Sequence, residues 1–394
     1  MISDVYFPRV NGVSTSIATS RDALHRMGHR TTLVVPAYPG HVETDRTILR
    51  VDASRIPFDP EDYLMRRRSL RQAMEILQAR DFDLIHIHTP FRAHRFGVVL
   101  SRRLGIPAVE TYHTYFEEYV HHYIPVLPRS AGRMFARLVA RRLARGVTAF
   151  VVPSFAVAES LKGYGIGIPL QVVPTGLELE EFSGGGDRLA FSERFEVDPQ
   201  RPSMVYVGRV AFEKNIGMLL DVVERIRRTI PDILLIIAGE GPARRALEIR
   251  AGKMGLQRNV LFVGYLSRGR QLWDCFCAGD IFVFPSRTET QGLVLLEAMA
   301  LGVPVVGYAE LGAAEVLTGR SGGVVVEGDA DAFAGSVLEL LRDEDRRAAL
   351  SARGLSYARE WSAHEMTRRM LNVYRDAVAP ELRNAAASVD SQAR

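Results

Sequence analysis

The chain has 394 residues, 47% of them hydrophobic and 24% charged, enough for two domains with separate cores. A formal net charge of +4 is too small to point to nucleic acid, and no apolar run is long enough to span a membrane. Its two cysteines, Cys275 and Cys277, have a single residue between them, and no basic-then-apolar leader begins the chain, which reads as inert thiols in a reducing cytoplasm.

In chain order, Met1-Ile2-Ser3 reads as the end of a first strand, and Asp4 to Gly12 as the loop after it. So short a strand leads to the expectation that Met1 is an internal methionine and that the native start lies several residues upstream. Thr31–Pro36, Leu84–His88, Ala108–Tyr112 and Ala149–Pro153 follow as strands, alternating with helical patterns at Ser14–Met27, Ser69–Ala79, Ala93–Leu104 and Arg129–Arg145. Such alternation argues for a parallel sheet covered on both faces. His86 and His88 alternate on one strand, and Asp81-Phe82-Asp83 spells an acid-x-acid triplet. No third ligand accompanies the histidines, and the acids read as solvated turn residues, so no metal site is expected.

The helix at Arg129–Arg145 is basic and amphipathic. Arg129, Arg133, Arg137, Arg141 and Arg145 recur every four residues beside an apolar face of Met134, Phe135, Leu138, Val139 and Leu143. It reads either as a helix docked on the sheet or as one that lies on anionic lipid.

Pro174-Thr175-Gly176 and Ser183-Gly184-Gly185-Gly186 punctuate the middle of the chain as a linker. The strand–helix alternation then resumes, with strands at Ser203–Val207, Ile233–Ala238, Val260–Val263, Ile281–Phe284 and Val303–Gly307. Helices are expected near Ile216–Arg228, Ala243–Met254, Arg270–Ala278, Leu293–Leu301 and Ala313–Leu317, and a last amphipathic one over Trp361–Val378. Two doubly wound domains place ligands at the carboxyl ends of their strands.

Three loops on that edge carry chemistry. Gly208-Arg209-Val210-Ala211-Phe212-Glu213-Lys214-Asn215 offers a guanidinium fork and an ammonium before a helix start, in a chain with only three lysines. Gly239-Glu240-Gly241-Pro242 is a second turn of this kind. In Thr288-Glu289-Thr290-Gln291-Gly292-Leu293 a polar loop feeds a helix with Glu297 about a turn and a half inside. Free N–H groups there suit an anion, and the two carboxylates suit hydroxyls, so the segment describes a nucleotide-sugar pocket.

Together these loops resemble the retaining nucleotide-sugar glycosyltransferases of family 4 (glycosyltransferase group 1), over nearly the whole chain. The resemblance implies an α/β fold of the GT-B type: two Rossmann-like domains facing a central cleft, and a C-terminal helix crossing back to the first. It divides the chain into an acceptor-side domain over 1–182, a linker over 183–202, a donor domain over 203–360, the crossing helix over 361–379 and a disordered tail over 380–394.

It also implies residue roles. Arg209 and Lys214 would bind the donor diphosphate together with the N–H groups near Gly292 and Leu293. Glu289 would bind the sugar hydroxyls and Glu297 the ribose. Asn11-Gly12 would close over the donor, and His113 would sit at the sugar near the acceptor. No cofactor or metal is implied, the nucleotide-sugar being a substrate.

His113 to Ile124 and Glu289-Thr290-Gln291-Gly292-Leu293 resemble bacterial 1,2-diacylglycerol 3-glucosyltransferases, whereas Asn11-Gly12-Val13 also matches GDP-mannose-dependent α-mannosyltransferases. UDP-glucose and GDP-mannose therefore both stand as donors, with a membrane lipid or a soluble glycan as acceptor. A cytoplasmic location is expected, and the lipid reading of the basic helix would add a peripheral position on the inner face of the plasma membrane. A sugar-nucleotide epimerase or a non-catalytic binder would use the same architecture.

Overall fold

The computed structural model describes residues 1–9, 11–56, 59–113, 129–318 and 321–392. The chain forms two compact units, Met1–Gly176 with Ala363–Arg394, and Leu177–Ser362.

In the first unit, β1 (Leu33–Pro36) pairs in parallel with β2 (Ile48–Val51), and an antiparallel hairpin of β3 (Ala53–Ile56) and β4 (Asp59–Met65) follows. Strands β5 (Ile85–Ile87), β6 (Ala108–Thr111), β7 (Ala149–Val152) and β8 (Leu170–Val172) form a parallel sheet in sequence order. Ile2 joins the two sets through parallel bridges to Val34 and Ile87, with its N–H donating to the His86 carbonyl at 2.9 Å. Residue 2 thus occupies the place of the first strand.

Helix Gly12–Arg26 begins where the Asn11 side chain accepts from the Ser14 N–H, and helix Phe155–Gly163 where Ser154 accepts from Val157. Helix Arg92–Leu104 stops at Gly105 in the left-handed region. The final helix, Ala363–Gln392, packs Met370, Val373 and Ala377 against Val109, Ala149 and Val151 of the sheet. It continues through the stretch from Pro380 for which disorder was expected.

The basic helix, Arg129–Ala144, docks differently from the expected apolar face. Ala136, Ala140 and Leu143 are buried, whereas Met134 (63% exposed), Phe135 (48%) and Leu138 (61%) are not. Small side chains let the helix approach its neighbours closely, and Arg137 and Arg141 both donate their Nε–H to the Tyr164 carbonyl, at 3.2 and 2.8 Å.

The second unit is a six-stranded parallel sheet: β9 (Ser203–Val207), β10 (Leu234–Ala238), β11 (Val260–Gly264), β12 (Ile281–Phe284), β13 (Val305–Gly307) and β14 (Gly323–Val325). Their order is β11-β10-β9-β12-β13-β14. The chain winds outward from β9 on one side and then crosses over to begin again at β12. A crevice opens outside the carboxyl ends at such a reversal.

The stretch 183–202 belongs to this unit instead of bridging to it. Helix Arg188–Phe195 lies there, capped by Asp187 and anchored by buried Phe191. Within the glycine run that reads as flexible, Gly186 serves packing, since a Cβ there would stand 2.1 Å from the Trp273 carbonyl oxygen, whereas Gly184 and Gly185 face open space. Cys275 and Cys277 are free thiols on helix Arg270–Ala278. Among the described residues no helix is long and apolar enough to cross a membrane.

Candidate functional site

The β9–β12 crevice is built from four turns that hold one another. After β9, Gly208 takes φ 152 above the buried Tyr206 ring, whose hydroxyl donates to the Arg209 carbonyl at 3.1 Å. Burial, with Glu289 and Glu213 nearby, pushes that phenol well above its usual range, so it stays a neutral donor. A short turn, Phe212–Lys214, then leads to Asn215 in the left-handed region, whose amide donates to the Pro285 carbonyl at 3.3 Å.

After β10, Gly239 and Gly241 press their backbones against the first turn. A Cβ would stand 1.9 Å from the Gly208 oxygen and 2.4 Å from the Val210 oxygen respectively. After β13, the Gly312 N–H donates to the Glu289 carbonyl at 2.9 Å. Gly292 (φ 83) precedes helix Leu293–Ala300, and no side chain caps its N-terminus.

Lys214 and Glu289 meet in this crevice, Nζ to Oε2 at 2.7 Å, and Thr288 donates to the Glu213 carbonyl at 3.4 Å. The two loops singled out from sequence are therefore one structure. Arg209 is 46% exposed at its side chain and lies 3.6 Å from Glu213. The arrangement gathers an ammonium, a guanidinium, a capless helix end and a carboxylate, which is chemistry for a phosphorylated, hydroxylated ligand.

Glu297 lies inside the helix, 6% exposed, and burial pushes its carboxyl up while Arg268 opposes that shift. Arg268 donates to Glu297 at 2.7 Å and to Glu181 at 3.1 Å. Sequence reasoning passed over Arg268, because Ser267-Arg268-Gly269-Arg270 reads as an ordinary solvated turn. Its one signal was its position at the carboxyl end of β11, on the same sheet edge as the other loops.

In the first unit, His113 follows β6 with its ring stacked at 23° on that of His88, Nε2 to Nδ1 at 3.4 Å. His86 bonds to Thr111 Oγ1 and to Tyr374 Oη, both at 2.6 Å. Burial pushes the His113 imidazole down to about 4 and drives His86 and His88 well below their ordinary value, so all three are neutral at pH 7. Among the described residues no group of three His, Cys, Asp or Glu could hold a metal. Asp81 and Asp83 are exposed. Asn11 caps its helix through its side chain, and the space around Gly12 is open. Residues 114–128, which contain most of the His113–Ile124 string, lie outside the described residues, and side chains are described only from residue 132 of the basic helix, so Arg129 is not placed.

Two Rossmann-like units, one with a phosphate-and-hydroxyl crevice at its strand reversal, define a nucleotide-sugar transferase of the GT-B architecture. The structure matches sucrose-phosphate synthase of Thermosynechococcus elongatus with a TM-score of 0.77 at 20% identity, over 96% of this chain and 99% of the other. Residues 10–181 match the model for Glycosyltransferase Family 4, and 187–356 that for Glycosyl transferases group 1. D-inositol 3-phosphate glycosyltransferase of Xylanimonas cellulosilytica is 31% identical over 306 residues, 75% of this chain and 72% of the relative. Alpha-monoglucosyldiacylglycerol synthase of Streptococcus pneumoniae is 28% identical over 356 residues, 86% of this chain and 77% of the relative. The chain belongs to the group 1 glycosyltransferases of family 4. It is a glycosyltransferase that moves a hexosyl group from a nucleotide-sugar donor to an acceptor.

Proposed function

We propose that the chain transfers a hexose, with retention, from UDP-glucose or GDP-mannose to a hydroxyl of a membrane lipid such as diacylglycerol. The observation that carries the donor half is the Lys214–Glu289 pair at the β9–β12 reversal. In this reading Lys214 and Arg209 take the diphosphate, and the N–H groups at Gly292 and Leu293 add to that cradle. Glu289 accepts from the sugar hydroxyls and Glu297 from the ribose.

Neutral His113 donates a hydrogen bond on the acceptor side, and the Asn11-Gly12 loop closes over the donor. The sugar C1–O bond to the diphosphate breaks as the acceptor oxygen bonds to C1 on the same face. The acceptor proton passes to the departing phosphate oxygen. Cationic groups stabilise the charge that develops there, and no metal is needed for that.

The lipid half is supported by the exposed Met134, Phe135 and Leu138 on the arginine-rich helix. A soluble protein gains nothing by leaving three large apolar groups among cations, whereas an anionic bilayer accommodates both. The likeness to the diacylglycerol enzyme of Streptococcus pneumoniae supports the same acceptor. A peripheral position on the inner face of the plasma membrane follows from this reading.

The test is a transfer assay with labelled UDP-glucose and GDP-mannose, offering diacylglycerol in phosphatidylglycerol vesicles or a soluble glycan. An α-linked glycolipid from either donor is the expected product. Epimerised donor, or binding with no product on any acceptor, would overturn the proposal.

A further inference from the structure

The turn after β11 carries an arginine to which none of the roles above is assigned. Arg268 donates from Nη1 to Glu297 Oε1 at 2.7 Å and from Nε to Glu181 Oε2 at 3.1 Å. Its guanidinium carbon lies 5.4 Å from the centre of the Trp273 ring, and the Trp273 indole donates to the Glu181 carbonyl at 3.0 Å. The fork is thus held on one side by an indole face and at its edges by two carboxylates from different segments. Among the described residues Glu297 Oε2 receives no hydrogen bond.

We propose that Arg268 is a positioning residue of the donor site, holding Glu297 as an oriented anion whose second oxygen accepts from the ribose hydroxyls of a nucleoside diphosphate. This rests on the assignment of Glu297 to the ribose.

The physical need is plain. A carboxyl this buried favours its neutral form, and a protonated acid offers the ribose one acceptor fewer. The charged groups facing Glu297 are Arg268, from the turn after β11, and Glu181, from the Leu179–Phe182 turn. Glu181 raises the Glu297 carboxyl further, and Arg268 is the cation that counters both it and burial. Without Arg268, ribose recognition becomes sensitive to pH.

The experiment is calorimetric titration of the full chain with UDP, GDP and their 2′-deoxy forms between pH 5.5 and 8.5. Wild type, Arg268→Met, Arg268→Lys and Glu297→Gln are compared, with thermal melting as the check on folding. Wild-type affinity is expected to vary only with protonation of the ligand's own terminal phosphate, whose second pKa is about 6, and serves as the baseline. In Arg268→Met, affinity relative to wild type falls with acid, approaching about tenfold per pH unit, and the preference for ribose over deoxyribose falls with it. Arg268→Lys restores part of the wild-type profile.

Wild-type affinity and ribose preference in a folded Arg268→Met at every pH would overturn the proposal. So would a uniform weakening with no pH dependence. Glu297→Gln separates the two layers: an unchanged ribose preference there would remove the ribose assignment itself.

Discussion

Lys214 and Glu289, separated by 75 positions in the chain, close a 2.7 Å ion pair across the reversal between β9 and β12. Both side chains keep partial access to solvent, at 21% and 25% exposure, so the pair contributes only about 0–1 kcal/mol to folding. In the proposed mechanism an arriving diphosphate takes Lys214 and releases Glu289 to the sugar hydroxyls. The pair is then a resting arrangement of two groups that each acquire a ligand.

Lys214→Ala and Glu289→Ala are each expected to lower turnover by about 10²–10³-fold, while unfolding free energy changes by less than about 1 kcal/mol. The double variant should lose less than the product of the single effects, because the two groups act on one ligand. Steady-state kinetics with denaturant melts checks this. Full activity in either single variant removes the site assignment.

Two glycines make a contrast that separates packing from ligand contact. Gly239 has φ +135 and no room for a Cβ against the Gly208 oxygen, so Gly239→Ala should destabilise the second unit by about 2–4 kcal/mol. Gly12 has nothing within 4 Å of a Cβ and opens a helix, so Gly12→Ala should leave the melting temperature unchanged or slightly raised. A fall in turnover without a fall in stability for Gly12→Ala would then report a ligand that approaches this backbone. Unchanged kinetics would argue against the donor-closing role.

Two buried histidines, His86 and His88, and the half-buried His113 give acid sensitivity a definite sign. The folded-state value of His113 is about 4 against an ordinary 6.5. Between those values the unfolded chain binds a proton that the folded chain refuses, so stability falls as pH falls through that window. His86 and His88 act in the same direction. Asp4 opposes them: burial raises its carboxyl from 3.8 to about 6, so its folded form keeps a proton there and loses stability as pH rises. His113→Gln should flatten the acid limb of the stability profile by up to about 1.4 kcal/mol per pH unit, and Asp4→Asn should steepen it. Parallel profiles for wild type and His113→Gln, measured by urea unfolding from pH 4 to 7, would contradict this account.

Met134, Leu138, Arg142 and Arg145 follow one another at helical spacing on the open face of helix Arg129–Ala144 and just past its end. Each Arg near an anionic surface adds roughly 1 kcal/mol. Arg142→Glu with Arg145→Glu should therefore weaken partition into phosphatidylglycerol vesicles by on the order of thirtyfold or more at low salt. Leu138→Ser should weaken it with less salt dependence. Flotation assays in which wild type stays unbound, or the charge-reversed variant floats equally well, would sink the lipid reading.

Much of the doubly wound plan is legible in the sequence, because strands buried on both faces must be continuously apolar. Val205, Ile236 and Phe282 sit in such runs, and each is fully buried. The strands not anticipated are short or poor in that signal: Ile48–Val51 contains Arg50, Leu170–Val172 contains Gln171, Gly323–Val325 has three residues and begins on a glycine, and the β3–β4 hairpin flanks Pro57 and contains Pro60. Their pairing comes from neighbours far along the chain, and local pattern does not carry it.

The candidate site divides in the same way. Loop chemistry is local, so Gly208, Lys214, Glu289, Gly292 and Glu297 stood out as residue types before any fold was known. Which cation meets which carboxylate is not local. Lys214 with Glu289 and Arg268 with Glu297, 75 and 29 residues apart, are set by the crossing of the chain from β11 to β12. The inward face of helix Arg129–Ala144 was likewise decided by packing. Its alanines permit a close approach that its larger apolar side chains would block, which leaves those side chains outside among the arginines. By itself, then, the sequence determined the class of fold and the residues proposed for phosphate and sugar. Tertiary structure alone decided their partners and the outward face of that helix, because both depend on contacts between segments distant in the chain.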